Sequence, residues 1–281
     1  MKKIGFIDNY LDEWHANNYP AKIHELSGGE MIVSYAYARQ DAPNGMTTDE
    51  WCAKNNVERV DSIEELVEKS DYVIVLSPDH PEHHEELCKI PLSSGKRCYV
   101  DKTFAVDTAT AKRIFAVANE HNTPVFSSSA LRFADEVMAM NVPADEIDHM
   151  TVISNGPTEI YLIHMIEPMV KMMGADAQRI MFVGTEHSPS WVVEFEGGRK
   201  VNMTLYHNAH SWYFRIHKKD GEVLVIPEVW NFFDNFLAEL VDFFKTGDVK
   251  VEQAQTVAVI EIRSKALESM KEPGIWYSID C

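Results

Sequence analysis

Tyr161, His164 and Glu167 follow one another at steps of three, and Lys171 comes four residues later. On a helix such positions share one face, so a single element could present a phenol, an imidazole and a carboxylate together. An imidazole near its ordinary pKa of about 6.5 can take or give a proton close to neutral pH. A second reactive group lies far upstream in Tyr99-Val100-Asp101-Lys102-Thr103-Phe104, where a short apolar run ends in an acid and an ammonium. Ligands of an open parallel sheet bind beyond the carboxyl ends of its strands, so Lys102 is expected to project toward a crevice. Oxidising a carbinol needs a base for the hydroxyl proton and a group to hold the developing oxyanion. His164 and Lys102 suit these tasks, with Tyr161 assisting. The plainer reading makes Tyr161 and His164 packing residues, Glu167 and Lys171 an exposed ion pair, and Lys102 a solvated strand end.

The elements that must hold these groups divide the chain in two. Apolar runs at 3–8, 31–38, 71–76, 98–100 and 124–127 alternate with helical stretches near 12–19, 48–55, 62–67, 81–87 and 108–121. Ser62 followed by Glu65 is a capping signal, and the unbroken apolar run at 71–76 suits a strand covered on both faces. This alternation predicts a doubly wound α/β domain over residues 1–128. From 129 to 281 the pattern is α+β. A strand near 150–154 precedes a helix that stops at Gly174, and strands at 179–185, 191–196, 200–207, 212–218 and 222–226 form a mostly antiparallel sheet. Gly197-Gly198 and Asp220-Gly221 are its hairpin turns, and helices at 229–246 and 252–270 follow.

A Rossmann-like half, a strand ending in acid-Lys, the segment Ser128-Ser129-Ala130-Leu131-Arg132-Phe133, and Tyr161-x-x-His164-x-x-Glu167 together resemble the Gfo/Idh/MocA oxidoreductase family. The resemblance covers nearly the whole chain, with a C-terminal domain shorter than is usual there. It implies a nicotinamide dinucleotide, NAD or NADP, and a sugar, sugar acid or cyclitol as substrate. The family's Glu-Lys-Pro motif is matched by Asp101-Lys102-Thr103, and its catalytic histidine by His164, with Glu167 as the acid three residues on. The family's aspartate four residues before that histidine is replaced by Ile160. The resemblance assigns cofactor contacts to Gly5, Ile7, Asp8, Arg39, Ser77, Pro78, Asp101 and Lys102. Substrate contacts fall to His15, His83, Arg132 and Glu167, with the substrate lying between the domains.

The front of the chain departs from a dinucleotide fingerprint. Gly5 begins the pattern, but Ile7 and Tyr10 stand where further glycines would let backbone N–H groups approach a pyrophosphate. The loop 8–13 instead carries Asp8, Asp12 and Glu13. Either these carboxylates point away or the loop does not cradle a dinucleotide in the usual way; residues 8–18 could equally face a polyhydroxylated ligand, or form an acidic helix start with Trp14 in the core. Arg39 follows the second strand, where a 2'-phosphate or plain solvent could meet it. His80, His83 and His84 with Glu82 concentrate metal-ligating groups at a strand edge, and His207-x-x-His210 with His217 forms a second cluster. Neither has the spacing of a dedicated metal site, so no metal is expected.

The formal charge of −18 over 281 residues excludes a nucleic acid or an anionic membrane as main partner. The four cysteines have no short paired spacing, and the Met-Lys-Lys-Ile-Gly start enters a strand without an apolar signal core. A cytoplasmic protein is therefore expected. Trp191, Tyr206, Trp212, Tyr213 and Phe214 would leave an apolar sheet face in water, predicting a homodimer or homotetramer through it. The rival readings are a cofactor-free carbohydrate-binding or regulatory protein on the same fold, and a non-redox isomerase or lyase.

Overall fold

A computed structural model describes residues 1–206 and 212–280. They form two compact units. The first comprises Met1–Ser128 with Leu237–Gln253, and the second Ser129–Phe236 with Ala254–Cys281.

The first unit is built on a parallel sheet of β1 (Lys2–Asp8), β2 (Met31–Ala38), β3 (Glu58–Arg59), β4 (Tyr72–Val75), β5 (Cys98–Val100) and β6 (Val125–Phe126), in the order β3-β2-β1-β4-β5-β6. Every ladder is parallel, which requires a crossover after each strand. Helices α1 (Trp14–Leu26), α2 (Thr48–Asn55), α3 (Ile63–Lys69), α4 (His84–Ser93) and α5 (Thr108–Glu120) supply those connections. Three of them start where the side chains dictate. Thr47, Ser62 and Asp107 accept from the backbone N–H three residues on, each such cap contributing about 1 kcal/mol. All four residues of β4 are buried, which accounts for its uninterrupted apolar sequence. The strand order reverses between β1 and β4, so the crevice beyond their carboxyl ends is the ligand position of such a sheet.

This unit also claims Leu237–Gln253, which the sequence reading assigned to the second domain. The cause is aromatic packing from the end of α8 (Phe232–Thr246): Phe244 stacks on Tyr72 at 4.8 Å and Phe243 meets Phe126 edge-on at 5.0 Å. The Arg97 guanidinium then donates to the carbonyls of Phe244, Lys245 and Thr246 at the end of that helix.

The second unit carries a mixed sheet, ordered β12-β11-β7-β10-β9-β8-β13. Its strands are β7 (Ile147–Asn155), β8 (Ala177–Phe182), β9 (Ser190–Phe195), β10 (Lys200–Tyr206), β11 (Tyr213–Lys218), β12 (Val223–Ile226) and β13 (Trp276–Ser278). All its ladders are antiparallel except β7 with β10. Along β9 and β10 every second residue is buried, the period of a half-covered sheet. A short helix α6 (Asp135–Met138) precedes the sheet; α7 (Thr158–Met173) and α9 (Gln253–Ser269) are its long helices. Two of the aromatics expected on the open face turn inward. Trp191 and Phe214 are buried, and the Trp191 indole N–H donates to the Ala266 carbonyl of α9 at 2.9 Å. Tyr206 stays exposed. No described helix is long and apolar enough to cross a membrane.

Candidate functional site

In the first unit, three chain segments meet beyond the reversal of strand order. β1 delivers Asp8, β4 is followed by Ser77-Pro78-Asp79, and β5 is followed by Asp101-Lys102. Lys102 is buried, yet its Nζ donates to the Pro78 carbonyl at 3.3 Å and faces Asp79 Oδ1 at 3.4 Å. Asp101 is fixed from two sides: the Tyr99 hydroxyl donates to its Oδ1 at 3.0 Å, and the Lys102 backbone N–H to the same oxygen at 2.8 Å. Ser77 adopts φ 71°, a left-handed conformation that costs a side-chain-bearing residue about 1–2 kcal/mol and is kept mostly where a ligand edge needs it.

The carboxylates outnumber their partners here. His15 Nδ1 lies 3.2 Å from Glu13 Oε2 and 3.3 Å from Asp101 Oδ2. Burial draws the His15 pKa down, but the charges of Asp101 and Glu13 more than offset it, and the imidazole ends above its ordinary value. Asp8 is buried, and its carboxyl is pushed well above the usual range, first by burial and then by the Glu13 charge. Its Oδ1 accepts from the Asn9 N–H at 2.6 Å, while its Oδ2 and Asp101 Oδ2 have no hydrogen-bond partner among the described residues.

Gly5 and Ile7, expected to touch a cofactor, lie inside β1 instead. Ile7 is core, and a Cβ on Gly5 would meet Leu66 of α3 at 2.4 Å, so this glycine serves strand-to-helix packing. The turn that would cradle a pyrophosphate begins three residues later, at Asp8. Of the three loop carboxylates only Asp12 points away, accepting from the Met46 N–H at 2.8 Å and the Asn17 amide at 2.9 Å. Glu13 does the opposite. Its carboxylate accepts from the His15 N–H at 2.7 Å and from the Ala16 N–H, the first free donors of α1. A pyrophosphate needs those same N–H groups. The loop as arranged does not fit that group. Trp14, which one of the two alternatives for residues 8–18 placed in the core, is 57% exposed.

The histidine-rich stretch after β4 separates into two roles. His84 is fully buried, its Nδ1 at 3.0 Å from the Phe104 carbonyl and its Nε2 at 2.5 Å from that of Leu76, and burial lowers its pKa. It ties the loops after β4 and β5 together. His80, Glu82 and His83 bring ligand atoms within 4.8 Å of one another. Arg39 occupies the neighbourhood: its guanidinium donates to His83 Nδ1 at 2.6 Å and pairs with Glu86 at 3.3 Å. An arginine can only donate, so the neutral His83 ring carries its proton on Nε2, the nitrogen turned to Glu82. That tautomer and the adjacent cation disfavour a metal.

In the second unit, α7 presents the stripe read from the sequence. The His164 Nδ1 is 2.6 Å from the Ser129 hydroxyl, and its ring meets Tyr161 edge-on at 5.5 Å and Trp212 at 6.0 Å. Gly156 makes room for this: at φ 105° its missing Cβ would sit 2.4 Å from the Tyr161 ring. Glu167 is not solvent-exposed. It is buried against Arg132, Oε2 to Nη1 at 3.3 Å, and the Lys171 ammonium donates to the Arg132 carbonyl at 3.3 Å. Both residues are expected to meet substrate; the structure also makes each the other's counter-charge, pinning the 130–133 turn to α7. Sequence reasoning did not single out Ser129 as the partner of His164, because the pairing spans 35 positions. His207 and His210 lie outside the described residues, and His217 sits on β11.

Residues 33–129 match the model of an oxidoreductase family with an NAD-binding Rossmann fold, GFO_IDH_MocA. The whole chain is similar in fold to solved dehydrogenases. Myo-inositol dehydrogenase from Corynebacterium glutamicum has a TM-score of 0.79 at 13% identity, with 100% of this chain and 99% of that one covered. Scyllo-inositol dehydrogenase from Lactobacillus casei, solved with NAD(H) and scyllo-inositol, has a TM-score of 0.77 at 14% identity, covering 99% and 98%. GenD2 from gentamicin A biosynthesis, solved with NAD, has a TM-score of 0.78 at 12% identity, covering 100% and 97%. No curated protein matches in sequence. Residues 33–129 are thus similar to the NAD-binding Rossmann module of the Gfo/Idh/MocA oxidoreductase family, and the whole chain shares the fold of these dehydrogenases.

Proposed function

We propose that the chain is an NAD(P)-dependent oxidoreductase acting on a hydroxyl of a sugar, sugar acid or cyclitol. The observation that carries this reading is Lys102: a buried lysine at the carboxyl end of β5, inside the segment that matches the family, held by a carbonyl and one half-exposed carboxylate. An ammonium so placed stabilises an oxyanion with little reorganisation. His164 takes the hydroxyl proton, with its Nδ1 beside the Ser129 hydroxyl and Tyr161 supporting the ring. His15 and His83 supply hydroxyl contacts, and Asp101 sets the position of Lys102. The free cysteines Cys52, Cys88 and Cys98 suit a reducing, cytoplasmic compartment, and association of copies through the second sheet belongs to the same reading.

A second reading has one observation in its favour. The Glu13 carboxylate on the α1 N–H groups favours a non-redox isomerase or lyase, or a carbohydrate-binding protein, since neither needs a pyrophosphate there.

The test is an oxidation assay over inositols, hexoses and aldonic acids with NAD+ and NADP+, read by reduced-cofactor absorbance, on the wild type and on Lys102→Ala, His164→Ala and the double variant. Turnover lost equally in the singles and the double supports both groups acting on one hydroxyl. Independent, multiplying losses, or an active Lys102→Ala, overturn the assignment. Conversion of a substrate without any cofactor would establish the second reading.

A further inference from the structure

The Glu13 side chain lies where an anion would lie. Its two oxygens take the backbone N–H groups of His15 and Ala16 at the start of α1, a thirteen-residue helix whose first turn contains no other acid. Around it, the wall is already rich in carboxylate: Asp8 and Asp101 each keep a buried oxygen without a hydrogen-bond donor among the described residues, and His15 stands between Glu13 and Asp101. Helix N-termini attract one anion by their N–H groups and partial positive charge, and a second anion at the same seat is repelled.

We propose that Glu13 is a built-in occupant of the pyrophosphate seat, which a nicotinamide dinucleotide must displace before it can settle on α1. The inference rests on the oxidoreductase reading above, and it assigns to one side chain the discrimination against dinucleotides that the missing loop glycines only suggest. The occupant is held by two accepted hydrogen bonds, of which the single oxygen of a neutral amide makes one, so Glu13→Gln removes the charge and keeps part of the cap.

The experiment titrates the full chain with NADH and with NADPH, followed by quenching of tryptophan fluorescence, in the wild type, Glu13→Gln and Glu13→Ser. Glu25→Gln is the control: it removes the same charge from the far end of α1, where Glu25 is exposed beside Lys22. Circular dichroism establishes that each variant is folded. The expected result is affinity for at least one dinucleotide raised about tenfold or more by both Glu13 substitutions and unchanged by Glu25→Gln. Wild-type binding that the Glu13 substitutions leave unchanged or weaken overturns the inference and leaves the oxidoreductase reading standing. Saturation by neither dinucleotide in any of the folded proteins overturns both.

Discussion

Buried charge is handled in opposite ways in the two units. In the second, Arg132 and Glu167 form a matched pair with further contacts around it, and the pair joins a turn to α7. In the first, Asp8, Glu13 and Asp101 crowd a region with His15 and Lys102, and the Oδ2 atoms of Asp8 and Asp101 and His15 Nδ1 lack hydrogen-bond partners among the described residues. Burying unbalanced charge is costly, and proteins keep it mainly where a ligand or a proton completes the balance. The matched pair has the character of scaffold, and the unbalanced cluster is the proposed working surface. The contrast also explains why the pairing of Arg132 with Glu167 was not legible in the sequence: charge type was visible, but its neutralisation was not.

The sharpest way to break this contrast is at Lys102. Lys102→Met keeps the stem and removes the ammonium, and turnover is expected to fall by about 10²–10⁴-fold with the fold intact, as for loss of a group that handles charge in the transition state. Steady-state kinetics with circular dichroism checks it; a nearly active, folded variant would return Lys102 to the scaffold class.

Next comes the pair itself. Arg132→Met or Glu167→Met alone should cost about 3–5 kcal/mol of stability in urea denaturation, whereas the double replacement should recover most of that. Additive losses would mean that the two do not act as a pair.

Asp8 distinguishes the first unit by its pH response. Its folded pKa is raised by burial and by Glu13, so the stability contributed by the neutral form is present below the unfolded value of about 3.9 and is lost as pH rises through the folded value. Asp8→Asn should therefore be about 1–3 kcal/mol more stable than the wild type at pH 8 and equal to it near pH 4. Denaturation curves at both values measure the difference, and a constant gap would remove the assignment.

The smallest effect is expected at Ser129. Ser129→Ala removes the hydrogen bond to His164 and the cap on the Leu131 N–H, so turnover should drop about fivefold and the pH optimum should move, with about 1–2 kcal/mol of stability lost. An unaltered pH profile would show that the serine does not orient the imidazole.

Much of the framework was legible because local patterns carry it. β2, α2 and β5 have the expected bounds, since unbroken apolar runs and caps such as Thr47 act within a few residues. The two hairpins β9–β10 and β11–β12 follow from Gly197-Gly198 and Gly221, whose positive φ values the turns require. The insertion of β7 between β10 and β11 carries no local signal. Nor does the capture of Leu237–Gln253 by the first unit, which depends on where Tyr72 and Phe126 stand. In the candidate site, the strand-end position of Lys102 and the shared face of Tyr161 and His164 were readable from spacing. The anchoring of the glycine pattern at Gly5 was not, because only the strand's length tells that the turn starts at Asp8.

By itself the amino-acid order determined which segments become strands and helices and which reactive side chains stand at their ends, because hydrophobic period and capping are short-range properties. Only the tertiary structure decided which charges are neutralised, that Glu13 folds back onto α1 while Asp12 turns to Met46, and that Arg132 spends its charge on Glu167. Charge interactions depend on distances between atoms that the chain brings together from remote positions, and on the water removed from around them.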